Sequence, residues 1–145
     1  MLFQHPYGND AKIWVAQYNQ SVAFLFWEAG YDVWLGNSRG TLYSKKHVSF
    51  KPTEERFWNY SFHEMGFYDN PAAVNYIRTK TQVSKIIYLG FSMGSTSGLI
   101  YASMRPHEAA ESIEVMINMT PVTFLKYINN FLVYFYPLIY LMEVI

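Results

Sequence analysis

The chain has 145 residues, of which 51% are hydrophobic and 15% are charged, and its formal net charge is zero. This length corresponds to one domain at most, and the composition argues against a disordered chain. Because the sequence contains no cysteine, disulfides, thiolate metal ligands and a cysteine nucleophile are excluded. Basic residues form no stripe, so no nucleic-acid partner is predicted. Aromatic residues reach 19%, enough to fill a core or to line an apolar pocket or surface.

The N-terminal third of the chain predicts a strand, a loop and a helix. The strand ends at Gln4, and Pro6 and Gly8 indicate a loop after it. Ser21 is predicted to cap a helix over residues 22–29, because serine accepts hydrogen bonds from first-turn N–H groups. Gly30 ends this helix. Apolar residues surround it, so most of the helix is expected to be buried.

A second strand and a second helix follow. Residues 31–35 read as a strand, which the glycines of residues 36–40 stop, and a long loop then continues to about Glu54. Asn70 is predicted to cap a helix that has Pro71 at its first position and runs to about residue 80.

The most informative motif is Gly90-Phe91-Ser92-Met93-Gly94, which lies between a predicted strand at 85–89 and a predicted helix at 95–102. A strand, a G-x-S-x-G turn and a helix form a nucleophile elbow, which exposes a serine hydroxyl on a strained turn. Gly90 and Gly94 fit because strand and helix nearly touch there. The bare pattern arises in roughly 5% of chains this long. The alternative interpretation is therefore a glycine-rich turn with an idle serine.

A last strand is predicted at 113–117, with Pro121 ending it. Strands and helices thus alternate along the chain, which predicts the α/β class, with a parallel sheet and helices on both faces. No metal site is predicted, because His63-Glu64 begins like a zinc-binding helix but has Phe67 at the second ligand position. Arg39 is interpreted as an ion-pair or turn residue rather than as a phosphate ligand.

The N-terminus lacks the basic region and the apolar run of a signal peptide. Glycosylation sequons begin at Asn19, Asn59 and Asn118, which hints at a secretory route unless the three are accidental. Asn19 and Asn59 are the candidate glycosylation sites, because Asn118 follows an apolar run and is expected to be buried.

Residues 25–69 resemble the acid lipases, the gastric and lysosomal lipases of the α/β-hydrolase fold, and the resemblance extends over nearly the whole chain. It rests on long ungapped strings that are far more specific than the elbow. These strings are residues 29–40, Tyr43-Ser44, Phe57-Trp58, residues 61–69 and Pro71-Ala72-Ala73, with the elbow, Arg105-Pro106 and Pro121-Val122 following in the family's order.

The resemblance implies an α/β-hydrolase core in residues 1–121, incomplete at both ends, and the start of a cap in residues 122–145. It implies a serine ester hydrolase that cleaves neutral lipid esters, triacylglycerol or cholesteryl ester, at a lipid–water interface. No cofactor and no metal are implied, and the implied location is secreted or lysosomal. Ser92 would be the nucleophile, and the backbone N–H groups of Tyr7 and Met93 would bind the oxyanion.

Three positions depart from the family's pattern. Phe91 replaces a histidine before the nucleophile, and Met93 replaces a glutamine after it; the second change is mild because the expected donor is a backbone N–H. Pro6 replaces the glycine of the family's His-Gly pair. Proline fixes its own φ and biases His5 toward extended backbone, so the direction of the Tyr7 N–H depends on this turn.

A catalytic base and acid are missing from the expected positions. In α/β-hydrolases the order is serine, acid, histidine, but after Ser92 there is no aspartate, and the single histidine is His107, fifteen positions on. The chain therefore looks like an internal piece of a lipase, and we expect it to lack turnover alone. The alternatives are a non-catalytic lipase-like fragment and a module that binds lipid or membrane through its aromatic C-terminus.

The C-terminal segment is predicted to be part of a lipid-facing cap. Between Lys126 and Glu143 it is uncharged, and its apolar residues recur at helical spacing on one face. Pro137 interrupts the run, which is shorter than the roughly 20 apolar residues that span a bilayer. The alternatives are an ordinary core helix and, less favoured, a membrane-spanning helix.

Overall fold

The computed structural model describes residues 1–124. Four strands form one sheet in the order β2-β1-β3-β4, and every neighbouring pair is parallel. The strands are β1 (Leu2–Gln4), β2 (Trp34–Leu35), β3 (Ile86–Phe91) and β4 (Ile113–Met119). The predicted α/β class and parallel sheet are thus confirmed. The second strand is shorter than the predicted 31–35, and its two residues pair with Leu2 and Phe3 of β1.

Helices connect the strands, as the alternation predicted. They are α1 (Val22–Glu28), α2 (Phe62–Glu64), α3 (Asn70–Thr81), α4 (Met93–Met104) and α5 (Pro106–Ser112). A π-helical turn at Met65–Asp69 joins α2 to α3 without a break. Short 3-10 helices lie at Ala11–Trp14, Tyr18–Gln20 and Glu55–Trp58.

The sheet separates two hydrophobic cores, because successive strand residues point to opposite faces. Leu2 and Tyr88 pack on one face with residues of α3, α4 and α5. Phe3 and Leu89 pack on the other face with Trp14 and α1. Helices therefore cover both faces, as expected from the sequence, and the junction of β3 with α4 lies between the two cores.

The prediction that most of α1 is buried is wrong. Ala23 is the buried residue of this helix, while Leu25 is 53% and Trp27 is 65% exposed. One side of α1 packs against the sheet, and no element among residues 1–124 covers the other side. Ser21 occupies the N-cap position, but its hydroxyl accepts from the N–H of Gln17 (2.9 Å) rather than capping the helix.

The prediction that Asn70 caps a helix is also wrong. The helical segment begins earlier, at Ser61, whose hydroxyl accepts from the N–H of His63 while Glu64 accepts from the N–H of Ser61. Because helical backbone is continuous from α2 into α3, Asn70 lies inside the segment with its side chain buried. The sequence contains both signals, and the earlier capping box determines the start.

The predicted cap helix falls mostly on residues 125–145, which lie outside the described part of the chain. Within residues 1–124, no helix combines the length and apolar character needed to cross a bilayer.

Candidate active site

Ser92 lies at the junction of β3 and α4 with an uncommon backbone conformation. Its φ is 51° and its ψ is −110°, a combination that L-residues rarely adopt and that costs about 1–3 kcal/mol. Three hydrogen bonds hold this backbone. The Ser92 N–H donates to the carbonyl of Met119 (2.9 Å), and the Ser92 carbonyl accepts from the N–H (3.0 Å) and the hydroxyl (3.3 Å) of Thr96. The serine thus sits on the sharp strand-to-helix turn that the motif predicted.

Two glycines permit the close approach of the elements around this turn. A Cβ on Gly90 would lie 2.5 Å from the nitrogen of Ser95 and 2.6 Å from the carbonyl carbon of Gly94. A Cβ on Gly94 would overlap the carbonyl oxygen of Gln4, at the end of β1. All these neighbours are backbone atoms and cannot rotate away. The strand, the first turn of α4 and the end of β1 therefore meet in direct backbone contact.

The loop after β1 is anchored by a buried histidine. His5 is 1% exposed, its Nε2 accepts from the N–H of Ser38 (3.1 Å), and its Nδ1 lies 2.9 Å from the carbonyl of Pro6. These partners assign the proton to Nδ1, which donates to that carbonyl. Burial lowers the pKa of His5, and the hydrogen bond to the Pro6 carbonyl and the charge of Asp10 only partly oppose this effect. The neutral imidazole therefore fixes the turn through Pro6 to the loop that contains Ser38.

Tyr7 and Met93 line the same cleft. The cleft has a volume of about 920 Å³ and is lined by residues drawn from three segments, 5–13, 38–45 and 58–65, together with Met93. Ser92 is adjacent to this lining but is not part of it. Tyr7 therefore lines the cleft although Pro6 precedes it. The structure brings the two predicted oxyanion residues to one cavity beside the elbow.

The walls of the cleft combine apolar and charged side chains. The apolar residues include Ile13, Leu42, Trp58, Phe62 and Met65. Arg39 also lines the cleft, but its guanidinium forms a two-pronged ion pair with Asp69 (2.6–3.0 Å), which raises the pKa of Arg39. The interpretation of Arg39 as an ion-pair residue is confirmed.

Among residues 1–124, which include His5, His47, His63 and His107, no hydrogen bond joins a histidine to the Ser92 hydroxyl. His107 is exposed on α5, beyond the far end of α4, a helix of 12 residues and thus about 18 Å long. Both ring nitrogens of His5 are engaged, His47 accepts from backbone N–H groups of its own loop, and His63 stacks on Phe67. Among residues 1–124, no group of three or more acidic or histidine side chains has the geometry to hold a metal ion.

The candidate glycosylation sites Asn19 and Asn59 are both exposed. Asn118 is partly buried, and its Oδ1 is shielded from solvent without a hydrogen-bond partner among the described residues.

The chain belongs to the α/β-hydrolase fold family, whose model matches residues 1–140. It is 45% identical to the gastric triacylglycerol lipase of Rattus norvegicus over 88% of this chain and 32% of that protein. It is 40% identical to a putative lysosomal acid lipase/cholesteryl ester hydrolase of Crotalus adamanteus, over 92% of this chain and 33% of that protein. It is 39% identical to lipase member M of Mus musculus, over 90% of this chain and 31% of that protein.

These relatives confirm the resemblance to the gastric and lysosomal acid lipases. The chain spans about a third of the length of the curated relatives that it matches.

Proposed function

We propose that this chain forms the nucleophile-bearing part of a serine ester hydrolase that cleaves neutral lipid esters, triacylglycerol or cholesteryl ester, with Ser92 as the nucleophile. The observation that carries the proposal is the conformation of Ser92, strained and held between a strand and a helix by backbone contacts at Gly90 and Gly94. The names of the relatives supply the substrate class.

In the proposed reaction, the Ser92 Oγ attacks the ester carbonyl carbon and a base takes the hydroxyl proton. The carbonyl oxygen becomes an oxyanion, which accepts hydrogen bonds from the backbone N–H groups of Met93 and Tyr7. Met93 begins α4, and the N-terminus of a helix favours negative charge. The alcohol leaves with the base's proton, and water then hydrolyses the acyl-serine ester.

The reaction needs a base that the described residues do not bring to Ser92. We propose that the complete site includes an acid and a histidine from outside this chain, and that the 145-residue chain alone has no turnover. Without a base the serine hydroxyl stays protonated and is a poor nucleophile. The absence of a base beside Ser92 among residues 1–124 also favours the second candidate, a non-catalytic lipase-like fragment that binds lipid or membrane.

The domain arrangement, location and glycosylation that we propose are those that the resemblance to the acid lipases implies. Residues 1–121 would form the central part of the hydrolase core, and residues 122–145 would begin a cap that faces a lipid–water interface. The proposed location is secreted or lysosomal, with Asn19 and Asn59 as glycosylation sites, because both are exposed. The apolar cleft residues would contact the acyl or sterol part of the ester.

The proposal is tested in a complete lipase background. In the lipase graft, the full 145-residue chain replaces the segment that it matches in the rat gastric triacylglycerol lipase. We expect the graft to hydrolyse emulsified triacylglycerol, and Ser92→Ala to lower kcat by more than about 10³-fold. Ser103→Ala, at an exposed serine of α4, is the control and keeps activity. Equal turnover of the graft and its Ser92→Ala variant would contradict the proposal.

A graft that folds and binds lipid but has no turnover would instead favour the non-catalytic candidate.

A further inference from the structure

A buried chain of hydrogen bonds joins β1, α3, β3 and α4. The Nε2 of Gln4 donates to the Oδ1 of Asn70 (3.0 Å), and the Nδ2 of Asn70 donates to the hydroxyl of Tyr88 (3.2 Å). The Tyr88 hydroxyl in turn donates to the carbonyl of Gly94 (2.7 Å). The three side chains are at most 2% exposed, so water does not compete for these bonds. We call Gln4, Asn70 and Tyr88 the elbow network.

Both ends of the elbow network lie next to the two proposed oxyanion donors. Gln4 is the last residue of β1, and the loop that contains Tyr7 leaves directly after it. Gly94 follows Met93 in the first turn of α4. The backbone of Gln4 and the Cα of Gly94 are also in close contact, since a Cβ at Gly94 would overlap the Gln4 carbonyl. The network and this contact together fix how the two backbone segments lie relative to each other.

The polar side chains of the elbow network indicate a role beyond filling the core. An apolar residue at position 70 or a phenylalanine at position 88 would fill the same space without buried polar groups that need partners. Asn70 instead bonds to groups on two different strands, one bordering each donor. Tyr88 bonds to a carbonyl of the elbow helix rather than to its own strand. The Oε1 of Gln4 is buried without a partner among the described residues, but the three bonds of the network are directional and join four elements. A buried chain of such bonds favours one arrangement of the elements that it joins.

We propose, on the basis of the function proposed above, that Tyr88 and Asn70 are positioning residues that hold the N–H groups of Met93 and Tyr7 at the separation an oxyanion requires. Neither side chain touches the substrate. Their effect arises because the donors must be placed before the reaction, and a displacement of about 1 Å in an active site can cost about 10²-fold in rate.

The test compares two buried tyrosines of the same core in the lipase graft. Tyr88→Phe removes the hydroxyl that bonds to Gly94. Tyr101→Phe is the matched control: Tyr101 is also 0% exposed, and its hydroxyl lies 2.8 Å from the Ser112 hydroxyl, at the other end of α4. Both variants lose one buried hydroxyl, so both should lower the Tm. Only Tyr88→Phe should lower kcat, by about 10-fold to 100-fold with an unchanged KM, because the donors act on the transition state.

The outcomes separate this inference from the proposed function. A graft without Ser92-dependent turnover overturns the function, and the inference with it. An active graft in which Tyr88→Phe and Tyr101→Phe keep the same kcat, or in which Tyr88→Phe changes KM alone, overturns the inference and leaves the function intact. If Tyr88→Phe does not fold, Asn70→Ala is compared with Asn75→Ala, because Asn75 is an exposed asparagine of the same helix α3. Equal kcat in these two variants, or a change of KM alone in Asn70→Ala, then overturns the inference.

Discussion

At the scale of single residues, Ser92 and His5 show what a sequence reveals and what it hides. The turn at Ser92 was predictable because its constraint is local: the glycines on either side are within two positions. His5 is identifiable from the sequence only as the histidine of the acid lipases' His-Gly pair. Its burial depends on the N–H of Ser38, 33 positions away, and no short-range pattern encodes that contact. The role of His5 in anchoring the loop beside the cleft is therefore visible only in the structure.

The strain at Ser92 predicts an unusual order of stability among its variants. In the lipase graft, Ser92→Gly should be more stable than Ser92→Ala by about 1 kcal/mol, because glycine adopts this φ and ψ without the penalty that alanine retains. Ser103 lies within α4 in ordinary helical backbone, so there the glycine variant should be the less stable of the pair, by about 1 kcal/mol. Chemical denaturation measures both pairs. The same order at the two positions would contradict the strain.

Burial of His5 predicts a pH dependence of stability. Because the folded-state pKa of His5 is lowered, the unfolded chain takes up a proton at a higher pH than the folded chain. The contribution of His5 is therefore fully present above about pH 6.5 and is lost as the pH falls toward its folded pKa, with a slope of up to about 1.4 kcal/mol per pH unit. His5→Gln should flatten this part of the profile in the lipase graft.

The control for this profile is His107→Gln, at an exposed position of α5. Because His107 lies outside the turn that His5 anchors, this variant should leave the slope that depends on His5 in place. A wild-type slope in His5→Gln would show that the imidazole is not held neutral.

At the scale of elements, the strands and the elbow helix were predictable, whereas the helix before β3 was placed too late. Asn70-Pro71 is an ordinary start signal, and Ser61 with Glu64 is another, nine positions earlier. Which signal determines the start depends on tertiary packing, because Asn70 has buried partners on two strands. The exposure of α1 was not predictable for a related reason. An apolar helix sequence does not show which neighbouring elements will cover the helix.

The contact between β3 and α4 predicts a severe effect of one methyl group. Gly90→Ala places a Cβ against backbone atoms of Gly94 and Ser95, so it should cost about 3 kcal/mol and abolish turnover of the lipase graft. Gly30→Ala is the control: Gly30 ends α1 with a φ of 91°, and nothing lies within 4 Å of its added Cβ. It should cost about 1–2 kcal/mol and keep turnover. Turnover of Gly90→Ala at the wild-type level would refute the close approach.

At the scale of the whole molecule, the parallel sheet brings three separate stretches of sequence to one edge. The end of β1, the loop after β2 and the elbow after β3 meet at the cleft, since the carboxyl ends of parallel strands share an edge. The alternation of elements predicted this class of sheet. The strand order and the lining of the cleft were not predictable from composition or periodicity, because they depend on which helix crosses which face.

The site of a covalent adduct shows whether Ser92 is the nucleophile. The lipase graft is treated with a fluorophosphonate, and the modified residue is identified by mass spectrometry of the peptide that contains the elbow. We expect an adduct on Ser92, none on Ser95, Ser97 or Ser103 of the same helix, and no labelling of Ser92→Ala. An adduct on another residue, or labelling that persists in Ser92→Ala, would contradict it.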